Sequence, residues 1–223
     1  RFRINNELIT QKSIATYITN IRPLLKQMVS DGFEHPTEFE VSTAVALKYF
    51  YDEQVDVLIL EVGLGGEIDS TNVADNPLLS IITNVAMDHT AYLGNTLKEI
   101  AAIKAGIIKY QRPIITAATN QDVLGVLHEK AMEKDAPLYR IDKHFACETR
   151  YLSAKGSGFD IKGVGSFYPD VSVPLLGEHQ GCNAALAIVA SEVLQQLGYS
   201  RITESTIYQG IGKVIWEGRL EVL

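Results

Sequence analysis

Glu61 closes the apolar run Leu58-Ile59-Leu60 and is followed at once by Val62-Gly63-Leu64-Gly65-Gly66 and then by Asp69-Ser70-Thr71-Asn72. A carboxylate at the carboxyl end of a strand, opening into glycines, is how an open α/β sheet presents a ligand crevice. The glycines let backbone approach a ligand closely, and the four polar residues supply oxygens for a hard cation or a polar substrate. The same residues would also cap backbone groups in an ordinary strand-to-helix turn. A second apolar run, Ser80 to Met87, likewise ends in charge at Asp88-His89-Thr90. Two neighbouring strands would then aim Glu61 and His89 at one crevice.

A lysine joins this group from the next element. Thr96 and Glu99 have capping-box spacing and open a helix. Along it Ile100, Ile103 and Ile107 make an apolar stripe, and Lys104 falls inside that stripe. Its stem could snorkel along the core edge with the ammonium in water. Alternatively the amine contacts phosphate, or is desolvated and chemically converted.

The elements that must position these residues alternate along the chain. Ile14, Tyr17, Ile18, Ile21, Leu25 and Met28 recur at helical spacing, with Pro23 expected to kink or interrupt the helix. A second capping box, Thr37 with Glu40, opens a helix through Phe50. Strands are expected near 55–62 and 79–86, then the Thr96 helix, a strand over 113–116, a helix over 122–134 and a strand around 139–141. That alternation predicts an α/β fold, a mostly parallel sheet with helices on both faces. Over 143–175 the pattern changes to alternating polarity, with Phe145, Tyr151, Phe159, Ile161 and Val173, and predicts a small antiparallel ribbon or small sheet. Asn183 to Leu197 returns to helix, and Gly198 stops it.

Composition narrows the function classes. With 46% hydrophobic and 21% charged residues the chain can bury a substantial core. A net charge of −7 without a cluster of Lys and Arg argues against a nucleic-acid partner. Cys147 and Cys182 are the only cysteines, without metal-ligand spacing or a secretory signal, which points to a reducing, cytoplasmic setting. No apolar run is long enough to cross a bilayer, so no membrane partner is expected.

Taken in order, these strings resemble a known family. Thr37-Glu38-Phe39-Glu40, Glu61 to Gly66, Asp69-Ser70-Thr71-Asn72, Thr83-Asn84 with Asp88-His89, Leu93-Gly94-Asn95-Thr96 and Lys104-Ala105-Gly106-Ile107-Ile108-Lys109 are similar to folylpolyglutamate synthase/dihydrofolate synthase, a branch of the Mur ligase superfamily. Leu176-Gly177-Glu178-His179-Gln180 with Asn183-Ala184, and Trp216-Glu217-Gly218-Arg219-Leu220-Glu221, continue the series. The resemblance implies a P-loop-NTPase-like, Mur ligase central-domain fold. Residues 1–223 would form part of the ATP-binding domain, with 143–175 its antiparallel subregion. The family's phosphate loop would lie upstream of Arg1, and its C-terminal domain beyond Leu223. The 223 residues alone are therefore expected to be inactive.

For chemistry, the resemblance implies ATP-dependent conversion of a dihydropteroate or reduced-folate carboxylate to an acyl phosphate, which the amine of L-glutamate attacks. Phosphoryl transfer of this kind needs positioned magnesium and positive charge. The resemblance makes Glu61 a magnesium ligand or its neighbour, His89 a ligand of a second magnesium, and Lys104 a carbamylated lysine completing that second site. Partial burial, by lowering a lysine pKa, would favour such a conversion. Asn183 would meet the adenine and Arg219 the phosphates, as an amide edge and a guanidinium fork suit. Thr37 and Phe39 would hold the pterin or benzoate ring, and Asp69 would orient substrate or metal-bound water. A monomer is implied.

The chain departs from many relatives at Glu67, Ile103 and Ala86-Met87. Ile103 weakens any argument that a carboxylate beside Lys104 is essential. Three other readings stand beside this one: a peptidoglycan Mur ligase, a noncatalytic nucleotide-binding or interaction module, and a metal hydrolase using Glu61, Asp88 and His89. The last is disfavoured because the chain offers no three closely spaced zinc ligands.

Overall fold

The computed structural model describes residues 2–216, which divide into two compact units. Arg1–Leu64 and Ile68–Val73 belong to the first, Gly65–Glu67 and Ala74–Leu223 to the second. Arg219 therefore lies outside the described residues.

In the first unit a short hairpin, β1 (Arg3–Ile4) and β2 (Glu7–Leu8), turns through Asn5 and Asn6, both at positive φ. Asparagine tolerates that conformation, which a tight two-residue hairpin turn demands. Helix α1 (Gln11–Ser30) starts at Thr10, whose hydroxyl accepts from Ser13 N, and runs through Pro23 without interruption. Of the expected kink or interruption, the interruption is absent. Helix α2 (Glu38–Asp52) opens with the predicted Thr37–Glu40 box, and Tyr17 Oη donates to Asp52 Oδ2 at 3.0 Å to pin α1 on α2.

The strand expected over 55–62 is not formed. Val57, Leu58 and Ile59 are exposed, Ile59 by 90%. The run has strand composition, but a strand exists only when a neighbour satisfies its backbone groups, and none of the described residues pairs with it.

The second unit holds two sheets. The parallel one has the order β3 (Ser80–Ile82), β4 (Ile114–Thr116), β5 (Leu138–Arg140), with Ile81 opposite Ile115 and Ile115 opposite Tyr139. Helices α4 (Leu97–Ala105) and α5 (Gln121–Glu133) pack on one face, and α6 (His179–Gln196) on the other. β4 displays the reason. Ile114 joins the core with Ile100, Val123 and Leu127, while Ile115 joins Phe145, Ile188 and Val189 on the opposite side. Successive residues of a strand point to opposite faces, so a strand sandwiched between helices is apolar at every position. Burying each isoleucine is worth about 2 kcal/mol.

The antiparallel region is the small sheet that the alternating pattern allowed. β6 (Ala146–Ser153), β7 (Gly156–Lys162) and β8 (Phe167–Val173) form a three-stranded meander packed on α6. α6 begins four residues before the expected start at Asn183, without a side-chain cap. Two helices were not foreseen: α3 (Thr90–Leu93), which follows His89, and α7 (Glu204–Gly212), capped by Thr203 and Thr206. Among the described residues no helix is long and apolar enough to cross a membrane.

Candidate functional site

Within the first unit the polar end of the glycine loop is organised by one carboxylate. Asp69 Oδ2 accepts from Gly63 N at 3.0 Å and Leu64 N at 2.8 Å, while Oδ1 accepts from the backbone and hydroxyl of Thr71. Both oxygens are thus engaged in loop closure, which makes Asp69 a positioning group. Phe39 on α2 lies across Gly63, where a Cβ would come 2.6 Å from the ring. The ring is 44% exposed, so it supports the loop and still shows a flat aromatic face. Thr37 is occupied at the start of α2. Its hydroxyl accepts from Glu40 N and donates to Glu40 Oε2, which also accepts Thr37 N at 2.7 Å. These bonds, the backbone one foremost, hold the Glu40 carboxyl below the usual range. Glu61 is exposed, and among the described residues no hydrogen bond or ion pair engages its carboxylate.

Within the second unit the glycine end of the same loop rests on α4. Glu67 N donates to Ile103 O at 3.0 Å. A Cβ on Gly66 would lie 2.9 Å from Ile103 O and 3.0 Å from Lys104 O, so only glycine permits this backbone-on-backbone contact. Gly65, at φ +71°, sits against Ile103 and Leu93. Gly106 faces the Glu67 backbone just as closely. The glycines of the Gly65-Gly66 and Lys104-Ala105-Gly106 motifs are therefore two halves of one docking contact. The stripe that suggested a buried lysine is shorter than expected: α4 ends at Ala105, Ile107 lies beyond it, and Lys104 is partly buried in the last turn. Ser80 Oγ donates to Ile107 O at 2.8 Å, tying this end of α4 to β3.

His89 caps α3 in the left-handed conformation, φ 49° and ψ 39°. A non-glycine residue held there is an outlier worth a functional question. The turn is fixed by Asp88, whose Oδ1 accepts His89 N at 2.8 Å, while its Oδ2 lies 3.7 Å from His89 Nε2. The imidazole is more than half exposed. Leu93 at the end of α3 packs in the same core as Ile100 and Ala101 of α4, so one cluster carries the elements bearing His89 and Lys104. The predicted Thr96–Glu99 box forms, and Glu99 Oε2 also accepts Asn95 N at 2.7 Å.

Asn183 lies in the second turn of α6, where its Nδ2 donates to Gln180 Oε1 at 3.1 Å. Both line a cavity of about 560 Å³ walled by Val173, Leu175, Ala184 and Ile207. A largely apolar hollow with two amides in its lining suits a flat heteroaromatic ring.

Sequence reasoning missed one buried acid. Glu192 is 3% exposed and accepts from Val164 N at 2.7 Å, Gly165 N at 3.3 Å, Ser166 N at 2.9 Å and Tyr168 Oη at 3.2 Å, fixing the β7–β8 turn. Its signal was a glutamate inside the apolar stripe of α6. Burial, and next the Glu192 charge, push the Tyr168 phenol up to about 12. Burial likewise raises the Cys147 thiol to about 12.

Among the described residues no cluster of three His, Cys, Asp or Glu side chains has the geometry of a metal site. Glu61 and His89 fall in different units.

Comparison with known proteins gives the family of the chain. The model of the Mur ligase middle domain matches residues 8–191. The chain is 38% identical over 226 residues to the dihydrofolate synthase/folylpolyglutamate synthase of Bacillus subtilis (strain 168), covering all of this chain and 52% of that protein. Among solved structures, the apo form of L. casei FPGS superposes with a TM-score of 0.92 at 34% identity, over 98% of this chain and 53% of that one. An FPGS–AMPPCP–folate complex gives 0.90 at 34%, over 99% and 55%. The chain thus spans about half the length of the relatives it matches. With the family model covering most of its residues, the chain belongs to the Mur ligase middle-domain family, with folylpolyglutamate and dihydrofolate synthases as its relatives.

Proposed function

We propose that the protein bearing this chain joins L-glutamate to a carboxylate of dihydropteroate or a reduced folate at the expense of ATP, through an acyl phosphate. The observation that carries this reading is the docking of the Gly65–Glu67 backbone on Ile103 and Lys104, in a chain related along its whole length to folylpolyglutamate synthases. That contact demands glycine on both sides, and it fixes where the Lys104 stem leaves α4.

Each residue then has a defined task. Asp69 holds the loop that starts at Gly63, so that its backbone and the Phe39 face stay in place for the flat ring of a pterin or benzoate. Gln180 and Asn183, in the lining of an apolar hollow, offer amide edges to adenine. Arg219 forks onto phosphate oxygens. The unengaged Glu61 carboxylate fits magnesium, a hard cation that prefers oxygen. The exposed His89 imidazole is a less usual partner, and a carbamylated Lys104 would add the oxygen donors that a second magnesium prefers. Bound magnesium supplies charge neutralisation on the transferring phosphate.

On this reading residues 1–223 belong to the ATP-binding domain of a cytoplasmic monomer working on small molecules. The test uses the product of the complete reading frame with ATP, magnesium, L-glutamate and either dihydropteroate or tetrahydrofolate, followed by mass spectrometry. Addition of glutamyl units is the expected result, and the acceptor used separates the two folate activities. A folded, ATP-binding protein that adds no glutamate to either acceptor would overturn the reading.

A further inference from the structure

In the second unit, α5 and β5 enclose a second hollow of about 400 Å³, lined by His128, Ala131, Met132, Ala136, Leu138, Arg140, Lys143 and His144. Four of the eight are basic and none is acidic, in a chain whose net charge is −7. Arg140 Nε is buried and has no hydrogen-bond partner, the one such side-chain atom among the described residues. A buried guanidinium N–H without an acceptor is costly, and in native proteins such a group usually meets an ion or water. Among the described residues neither Arg140 nor Lys143 has a carboxylate within ion-pair distance.

The histidine is set for the same purpose. His144 Nδ1 accepts Arg140 N at 3.0 Å, which leaves the ring proton on Nε2 as a donor. Tyr139 holds the ring edge-on, with centroids 6.1 Å apart. Burial first, then the charges of Lys143 and Arg140, lower the His144 pKa. We propose that this hollow binds a compact dianionic oxyanion of the phosphate class, held by Arg140, Lys143, His144 and His128. A dianion neutralises the two permanent charges, and the arginine fork matches tetrahedral oxygens in pairs. The apolar floor of Ala131 and Leu138 excludes water from one side and strengthens those bonds.

The test is a titration of the 223-residue chain with inorganic phosphate at neutral pH and constant ionic strength. NMR follows the Arg140 Nε–H and the imidazoles of His128 and His144, with His35 of the first unit as the reference. Saturable shifts at the first three and none at His35 are expected. Arg140→Gln and the exposed-site variant Lys143→Gln should each raise the phosphate Kd about tenfold, the loss of one charge-assisted contact. Lys143→Gln keeps the test open if Arg140→Gln fails to fold. A parallel titration with glycerol phosphate separates sources: tighter binding than inorganic phosphate assigns the site to a phosphate monoester, equal or weaker binding to the free ion. Shifts that do not saturate, that chloride reproduces, or that survive both substitutions with unchanged Kd would overturn the proposal.

Discussion

Replacing Asp69 tests whether one carboxylate organises the loop. Asp69→Ala removes the acceptor of four hydrogen bonds, from Gly63 N, Leu64 N, Thr71 N and Thr71 Oγ1. A hydrogen bond to a charged acceptor contributes about 1.5–3 kcal/mol, and such bonds within one network do not add. Gly63 and Leu64 are exposed, so water replaces part of what they lose. The balance is about 2–3 kcal/mol in the free energy of opening the loop, or on the order of 30- to 150-fold faster exchange of the three amides. Asp69→Asn keeps one acceptor oxygen and should lose about half as much free energy, about 1 kcal/mol. Native-state amide hydrogen exchange by NMR reads this directly. Val45 and Ala46, buried in α2, should stay within experimental error of the unaltered protein. Unchanged exchange at Gly63 and Leu64 in Asp69→Ala would refute the reasoning, as would an equal acceleration at Val45, which would make the effect global.

Other substitutions probe the second unit. Gly66→Ala forces a Cβ within 3.0 Å of two carbonyl oxygens that belong to a helix and cannot retreat, so it should lower stability by about 1–3 kcal/mol in urea titration and abolish ligation by the complete protein. Glu192→Ala leaves three backbone donors and a phenol at the β7–β8 turn without their acceptor, and should lower the unfolding free energy by at least about 3 kcal/mol, seen as a lower urea midpoint at unchanged m-value. Cys147 and Tyr168 bind their protons more tightly folded than unfolded, since both are raised to about 12. Their contribution to stability is full below the ordinary values of 9.0 and 10.0 and is lost as pH rises through those values toward about 12. Cys147→Ala should flatten the alkaline fall measured by urea titration, and a slope unaffected by the change would contradict the assignment. Alkylation of Cys147 at mildly alkaline pH should proceed only after denaturation.

What was legible in the sequence was local. The boxes at Thr37–Glu40 and Thr96–Glu99 involve partners three residues apart, so their spacing decides them, and both helices begin where that spacing says. Ile114 and Ile115 read as a strand apolar on both sides, which in a sequence with helices before and after it means a sheet covered on both faces. The rest depended on partners distant along the chain. Residues 55–62 have strand composition, yet strand formation needs a pairing edge that composition does not encode. The start of α6 carries no side-chain cap, so Asn183 looked like its beginning. α7 uses Thr206 where a glutamate would have signalled a box. At the site, Gly65, Gly66 and Gly106 were recognised as a motif, while their common reason, contact between the loop and α4 some forty residues on, is visible only in the tertiary fold. Asp69 holds its own loop, a role disguised by a six-residue separation from Gly63.

The acyl phosphate is the centre of the proposed chemistry, and its passage leaves an isotopic trace. The complete protein should be given ATP, magnesium, L-glutamate and an acceptor whose reacting carboxylate carries heavy oxygen, and the released phosphate examined by mass spectrometry. The account predicts one heavy oxygen in each phosphate formed with product, because the bond that breaks when the amine attacks joins carbonyl carbon to the labelled oxygen. Glutamylated product accompanied by unlabelled phosphate would contradict it.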